Sequence, residues 1–350
     1  MKSFLRRNSK IIGLCLLILL TCTACSNPRG ADGKTKVDQI ISAERIELNK
    51  SQVNIEDISD ENLKEELQAD SSETIVIEPT SWGTAWKNGW FDGLIVWPIA
   101  QLINWFASFT DAGWGIILTT LLIQALIYGL TFKSQKSQQR MQEIQPELER
   151  IQNKYKGKND ERSKMLMAQE TQKLYTKYDI HPFGSILVMF IQLPVMMGMF
   201  YATMRAVTTV YGTFLGILLS ETPLYGFQHL QWGPIIIYVL MIVMSIVSMQ
   251  LPKWLKKFQE KKDGIKPKKQ EKQGGMLGNT MNMTMYMTTA MIAFMYISWP
   301  MAMSFYWLVS SLVRSLLSVV THFVTVDEEK KKAVEKKQTA SAGILKNRRK

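Results

Sequence analysis

The chain has 350 residues, 46% of them hydrophobic and 21% charged, with a formal net charge of +12. Its three cysteines all lie within the first 25 residues, which excludes a disulfide framework or a cysteine-based metal site in the rest of the chain. It contains no HExxH, GxxxxGK[ST] or GxGxxG motif, so we predict no catalytic residue, no metal site and no cofactor.

Residues 1–25 are typical of a secretory signal peptide of the lipoprotein type. Basic residues precede the apolar run Ile11–Leu20, and a small residue, Ala24, stands before Cys25. This arrangement resembles a bacterial lipoprotein processing site and makes Cys25 the predicted lipidation site, for a fatty acid such as palmitate. Leucine is usual three residues before the lipidated cysteine, where this chain has Cys22. An ordinary cleaved signal and an uncleaved anchor are the alternatives.

Residues 26–90 form a polar, acidic segment. Fourteen Asp and Glu outnumber seven Lys and Arg over residues 26–92. The low apolar content predicts mostly loop, with a short helix near Asp60–Ala69. An acidic segment after a secretory signal is expected on the extracytoplasmic side, where no positive charge is required.

Residues 91–109 are apolar but include polar side chains. Trp97 and Trp105 are interleaved with Gln101 and Asn104, a pattern typical of a helix that lies in the membrane interface. A true span is the alternative. A span here would place the acidic segment in the cytoplasm, in conflict with the secretory signal.

Five further apolar stretches predict an all-α integral membrane protein with a five-transmembrane-helix core over residues 113–324. Each has about 18–24 residues, close to the ~20 needed to cross the hydrocarbon. They are Gly113–Phe132, Gly184–Met204, Gly233–Leu251, Asn282–Trp299 and Met301–Val324.

The connections between these spans alternate in charge. Residues 133–180 hold 11 Lys and Arg, residues 252–275 hold nine, and the tail 325–350 holds nine, whereas residues 206–232 and 298–301 hold none. The positive-inside rule therefore predicts a multi-pass protein of the bacterial cell membrane with its N-terminus outside. The basic loop 252–279 and the tail are then cytoplasmic.

The basic segment 133–180 is predicted to be a cytoplasmic helical hairpin. Apolar residues at alternating spacings of three and four predict a first helix, and residues 156–160 break it. A second helix runs from about Glu161 to Tyr178. A solvated spacer with a modest seam is the alternative. The first stripe consists of Met141, Ile144, Leu148, Ile151 and Tyr155, and the second of Met167, Leu174 and Tyr178.

Six motifs in chain order resemble those of the YidC/Oxa/Alb family of membrane protein insertases, over about residues 90–324. With the lipoprotein-type signal and the short outer segment, they are most similar to its Gram-positive branch. The motifs are Trp114-Gly115 with Thr120-Leu121-Leu122-Ile123, Met141-Gln142-Glu143-Ile144-Gln145-Pro146-Glu147, Leu174-Tyr175-x-Lys177-Tyr178-x-x-x-Pro182, Ile191-Gln192-Leu193-Pro194, Phe200-Tyr201-x-x-Met204-Arg205 and Tyr306-Trp307.

The resemblance implies five spans around a polar groove that is open to the cytoplasm and to lipid and closed on the outer side. Each unsatisfied polar group that crosses hydrocarbon costs several kcal/mol, so a polar notch shortens the dry path of a substrate segment. Release of the substrate's apolar span into lipid supplies free energy, and no nucleotide hydrolysis is needed.

Nascent membrane proteins are the partners that this function implies. The basic loop and tail are expected to attract anionic lipids. Contact of the same segments with the ribosome, through RNA phosphates, is a further expectation, and the Sec translocon is another expected partner.

One groove position departs from the family. An arginine usually follows the Thr-Leu-Leu-Ile motif, and here the residue is Gln124. Arg314 is the candidate replacement, because depths of ~16 Å for Gln124 and ~20 Å for Arg314 from the outer ends of their spans nearly match. Arg314 also follows Trp307 by seven residues and Ser310 by four, hence lies on the same helix face. The alternative is that Arg314 snorkels to the inner interface as an anchor.

The resemblance places Gln192, Tyr306 and Trp307 in the groove as well. For Gln192, an interhelical hydrogen bond is the alternative. Ser310 either lines the groove or allows close helix packing. A transporter or channel would be expected to show internal repeats and a charged midplane site, whereas this sequence has no repeat and one mid-span charge. A membrane assembly chaperone without insertase activity stays open as a second alternative.

Overall fold

The computed structural model describes residues 27–58, 60–158, 160–180, 182–262, 264, 286–287 and 289–347. The predicted signal peptide with Cys25 lies outside the described residues. So do most of the basic loop 252–279 and the first part of the predicted span Asn282–Trp299.

The described part of the chain is mostly helical. A π-helical turn, Asp92–Val96, leads directly into α3, and residues 289–296 are also helical. The helices are α1 Glu61–Ala69, α2 Trp82–Lys87, α3 Trp97–Ser108, α4 Ala112–Glu143, α5 Gln145–Tyr155, α6 Glu161–Lys177, α7 Pro182–Arg205, α8 Val207–Tyr211, α9 Pro223–Gln228, α10 Trp232–Lys262 and α11 Met301–Asn347.

Two short antiparallel strand pairs accompany the helices. Strands β1 (Ile46–Asn49) and β2 (Thr74–Ile77) pair with Ile46 opposite Ile77. Strands β3 (Thr213–Phe214) and β4 (Ile217–Leu218) form a tight hairpin whose turn includes Gly216 at φ +75°.

Much of the described segment 27–90 is loop or turn, as predicted, but the prediction missed its strands and its core. The segment contains the β1–β2 pair and an apolar core that α8 completes through Val207. Burial alternates along β2, so that two isoleucines point inward although the average composition is polar. The predicted short helix is confirmed as α1, with Asp60 as its N-cap. The core consists of Val37, Ile40, Leu48, Val53, Ile58, Ile75, Ile77 and Val207.

Three described helical stretches are long and apolar enough to cross a membrane, namely Ala112–Gln138, Trp232–Lys262 and Met301–Asp327. They contain the predicted first, third and fifth spans, and α7 contains the second. Together they give a mostly helical membrane protein. Its five-span arrangement stays a prediction.

Several helices extend beyond the predicted spans. Helix α4 continues to Glu143, α10 to Lys262 and α11 to Asn347, so the first part of the predicted basic loop and most of the tail are helical. Lys, Glu and Gln are good helix formers, and adding residues to an existing helix is easier than nucleating a new one. The hydropathy of the sequence predicts where a membrane span ends, but it does not predict where the helix ends.

Helices α5 and α6 pack against each other around a small apolar cluster. Ile144, Leu174 and Ile180 are buried in it, and Leu148, Ile151 and Tyr178 pack around them. The predicted stripe from Met141 to Tyr155 is divided between two helices, because the chain bends at Ile144. Pro146 has no N–H to continue the hydrogen bonds of α4, and it is tolerated in the first turn of the new helix α5.

The chain folds as two compact units, each of which is described by itself. The first unit comprises the described parts of Met1–Ile123, Phe190–Met241 and Ala293–Val309. The second unit comprises those of Gln124–Met189, Ile242–Ile292 and Ser310–Lys350.

Candidate functional site

Gln124 is buried on α4 and bonded to α11. Its side chain is 4% exposed, and its Nε2 donates a hydrogen bond of 3.2 Å to the Ser310 hydroxyl, which is fully buried. An amide within an apolar helix needs such a partner, because lipid offers none. Both residues belong to the second unit, in which the structure brings together these two predicted groove residues.

Arg314 is held by the next serine along α11. Its Nη2 donates to the Ser311 hydroxyl at 2.8 Å, and that hydroxyl lies 3.5 Å from the Ser245 hydroxyl on α10. Ser311 precedes Arg314 by three residues and Ser310 precedes it by four, so all three share one side of the helix. Arg314 is half-buried, whereas Ser245 and both α11 serines are buried. We call Gln124, Ser245, Ser310, Ser311 and Arg314 the polar cluster.

The polar cluster combines two kinds of polar group. The guanidinium carries a full positive charge and several donors in a planar fork. The amide and hydroxyls can donate and accept, so they can exchange partners with a polar chain. Exposed apolar side chains lie on the same helix as Gln124, namely Leu126 and Leu130 of α4.

Tyr306, Trp307 and Gln192 lie in the first unit. Tyr306 is fully buried and meets Trp307 edge to face, with ring centroids 6.5 Å apart, and Trp307 also contacts Tyr296. The Gln192 Nε2 is buried and has no hydrogen-bond partner among the described residues. An unsatisfied amide in such a place suits a site that accepts a polar group.

Sequence reasoning missed part of the polar surface. Ser245 is one of two serines in the apolar run of α10, and helical spacing does not reveal which side of that helix faces α11. The Tyr128 hydroxyl lies 2.9 Å from Thr321 Oγ1, a second polar link between α4 and α11. Polar residues within a predicted span are a signal for such contacts, but the signal also marks neighbours such as Ser248 and does not single these residues out.

No group of three or more His, Cys, Asp or Glu side chains that could hold a metal ion occurs in the part of the chain that the structure describes. The polar cluster contains no carboxylate, thiol or imidazole. Its chemistry is hydrogen bonding and positive charge.

Comparisons with known proteins identify the family. The family model described as 60Kd inner membrane protein matches residues 105–330, nearly two thirds of the chain. A relative from Streptococcus pyogenes serotype M3, named Membrane protein insertase YidC 1, is 32% identical over 254 residues, which cover 72% of this chain and 82% of the relative. The chain belongs to the YidC family. The resemblance drawn from the six motifs is thereby confirmed.

Other YidC relatives match over similar lengths. Membrane protein insertase YidC of Clostridium perfringens is 32% identical over 251 residues, covering 69% of this chain and 92% of the relative. Membrane protein insertase MisCA of Bacillus subtilis is 29% identical over 236 residues, covering 65% and 78%. These relatives support the Gram-positive branch of the family. A crystal structure described as that of an active YidC insertase matches with a TM-score of 0.45 and 20% identity, over 71% of this chain and 57% of that one.

The YidC match includes every predicted groove residue. The polar cluster, Gln192, Tyr306 and Trp307 all fall within residues 105–330. The segment with the β1–β2 pair and α3 up to Asn104 precedes the matched residues.

Proposed function

We propose that this YidC family member is a membrane protein insertase with the polar cluster at the centre of its substrate groove. Hydrophilic segments of nascent membrane proteins enter the groove, and their apolar spans are released into lipid without nucleotide hydrolysis. The observation that carries the proposal is the hydrogen-bonded set Gln124–Ser310 and Arg314–Ser311–Ser245 within apolar helices.

A polar segment that enters such a cluster replaces its hydrogen bonds to water by hydrogen bonds to protein groups. An unpaired peptide group in hydrocarbon costs several kcal/mol, so a few hydrogen bonds at mid-depth lower the barrier considerably. The Arg314 charge adds attraction for acidic segments. Burial of the substrate's span in lipid, at roughly 25 cal/mol per Å² of apolar surface, supplies the driving force.

The remaining groove wall and the topology form part of the same proposal. Gln192, Tyr306 and Trp307 contact the substrate as well, and five spans cross the membrane, with the N-terminus outside and the C-terminus in the cytoplasm. Helices α5 and α6 form the cytoplasmic hairpin, and residues 91–109 lie in the outer interface. The basic ends of α10 and α11 attract anionic lipids and contact the ribosome, and the Sec translocon is a further partner.

Crosslinking from position 124 tests the groove. A photoreactive amino acid at Gln124 should crosslink to a stalled nascent chain with a polar segment. The matched control is Leu126, two residues away on α4 and 62% exposed. Equal crosslinking from both positions, or none from position 124, would reject the groove.

Depletion separates insertion from assembly. Without the protein, a short two-span substrate should fail to insert. Normal insertion with faulty assembly would favour a chaperone without insertase activity.

Lipidation of Cys25 is a separate element of the proposal. A radiolabelled fatty acid should be incorporated into the wild-type protein and lost in Cys25→Ala. Equal incorporation into both proteins would contradict lipidation at this residue.

A further inference from the structure

The C-terminal end of α7 is buried in the first unit. Ala202 and Ala206 are fully buried, and Thr203, Met204 and Arg205 are at most 4% exposed. The last carbonyls of a helix have no partner within the helix. A buried helix end therefore needs hydrogen-bond donors from elsewhere in the fold.

Residues 27–58, here called the N-terminal segment, supply those partners. The Thr35 hydroxyl donates to the Met204 carbonyl at 2.9 Å, and the Ile41 N–H donates to the Arg205 carbonyl at 2.7 Å. The Ile41 carbonyl then accepts from the Val207 N–H at 3.0 Å. A segment more than 160 residues away in sequence therefore caps α7.

Arg205 joins three parts of the chain. Its Nε donates to the Gln39 carbonyl of the N-terminal segment at 2.8 Å, and its Nη1 forms an ion pair with Asp92, at the start of the turn that leads into α3. The Arg205 side chain is 4% exposed and that of Asp92 is 16% exposed. The planar guanidinium makes both contacts at once, which a lysine ammonium on its flexible stem would not reproduce.

Further polar contacts hold the N-terminal segment in place. Asn104 Nδ2 on α3 donates to the Ile41 carbonyl at 2.9 Å. Arg29 Nη2 donates to the Ser220 carbonyl at 2.9 Å, and burial lowers the pKa of Arg29 to about 10. The apolar core shared with Val207 lies beside these contacts. The segment is thus docked by charge, hydrogen bonds and apolar contact together.

We propose that the N-terminal segment is a cap in cis for α7, that Arg205 is the positioning residue which holds it, and that insertion requires the docked cap. Gln192 lies 13 residues before Arg205 on the same helix, or ~20 Å along its axis. The helix is continuous between the two residues, with Pro194 inside it, so fixing its C-terminal end restricts the rotation of the helix and hence the direction of Gln192. The requirement rests on the proposed insertase function, whereas the docking itself does not.

The test uses the full-length protein in membranes with Arg205→Met, which removes the charge and keeps the volume. Hydrogen exchange at the Ile41 and Val207 amides measures docking and should become at least tenfold faster. Photocrosslinking to a stalled nascent chain from position 192 should fall severalfold, whereas crosslinking from position 124 should change little. The matched control is Arg45→Met, since the Arg45–Glu78 pair is 68% exposed on both sides and should affect neither readout.

Arg205→Lys serves as the conservative variant and should lie between wild type and Arg205→Met in both measurements. It also carries the test if Arg205→Met does not accumulate. Unchanged exchange would overturn the cap. Faster exchange with unchanged crosslinking at position 192, or with equal losses at 192 and 124, would overturn the positioning role. If the unmodified protein crosslinks from neither position, the groove is rejected, and exchange still decides whether the cap exists.

Discussion

Arg205 and Arg314 lie in contrasting surroundings. Arg205 is 3% exposed, faces the Asp92 carboxylate and donates to a backbone carbonyl. Arg314 is half-buried and donates to the Ser311 hydroxyl. The Arg205–Asp92 pair is an ion pair shielded from water, whereas the Arg314–Ser311 contact is a hydrogen bond at a more exposed side chain. The first arrangement suits a permanent structural joint, and the greater exposure of Arg314 suits a side chain that a substrate can reach.

The largest expected effect is a difference in labelling between the two ends of α10, which are predicted to lie on opposite sides of the membrane. Gln231→Cys and Lys261→Cys replace exposed residues just before and at the end of α10. In intact cells, an impermeant thiol reagent should label position 231 and leave position 261 unlabelled. Position 261 lies in a lysine-rich stretch, which the positive-inside rule places in the cytoplasm. The unchanged chain is the control, since its cysteines all lie in the first 25 residues. Labelling at position 261 would contradict the five-span topology.

Asp92→Ala should cause the next largest effect. It leaves the Arg205 charge buried without its carboxylate, which costs about 3–5 kcal/mol of unfolding free energy. The free energy can be measured by denaturant unfolding in a bilayer mimetic. Glu78→Ala is the matched control, because it breaks an exposed pair and should cost no more than about 1 kcal/mol. A similar loss of unfolding free energy in the two variants would mean that the Arg205–Asp92 pair does not hold these parts of the fold together.

The resemblance to the family pointed to Gln124, and helical spacing then pointed to Arg314 and Ser310 on a second helix. Helical spacing gave Gln124 and the Ser310–Arg314 turn nearly equal depths, and the structure joins Gln124 to Ser310. This works because rise and rotation per residue are nearly constant within a long helix. The groove that these residues are expected to line stays a prediction.

The cap on α7 could not be predicted in this way. Ile41 pairs with the chain around Ala206, and nothing in the local pattern of either segment specifies the other. The polar composition of residues 26–90 also concealed a core built from scattered isoleucines and valines. Pairings between distant segments depend on three-dimensional packing, which periodicity does not report.

Arg314→Ala tests the second half of the comparison and should have a moderate effect. If the charge attracts acidic segments, insertion of substrates with acidic translocated segments should fall roughly fivefold, as expected for a coupling of about 1 kcal/mol. Neutral substrates should change less. Arg314→Lys should retain part of the activity, because the charge remains without the planar fork. Insertion is measured by protease protection at matched protein levels.

The double variant Gln124→Arg with Arg314→Ala sharpens this result. It returns a positive charge to the position where the family usually has arginine, and should restore insertion of the acidic substrates. Wild-type activity in Arg314→Ala alone would mean that Arg314 is an interface anchor and that the groove works by polarity.

The smallest expected effect is on the α5–α6 pair, whose charges are exposed. Glu170 accepts hydrogen bonds from Lys154 Nζ at 2.6 Å and from the Tyr155 hydroxyl at 2.9 Å, and these bonds lower the pKa of Glu170. A carboxyl group whose folded pKa is lowered stabilises the folded state above its unfolded pKa, and this contribution is lost as the pH falls through the lowered value. The helix pair should therefore loosen slightly under acid. Spin labels at the exposed positions 150 and 172 would report a broader distance distribution at low pH, whereas Glu170→Gln should already be broader at neutral pH and respond less to acid. An equal response to acid in both proteins would assign the effect to other carboxylates.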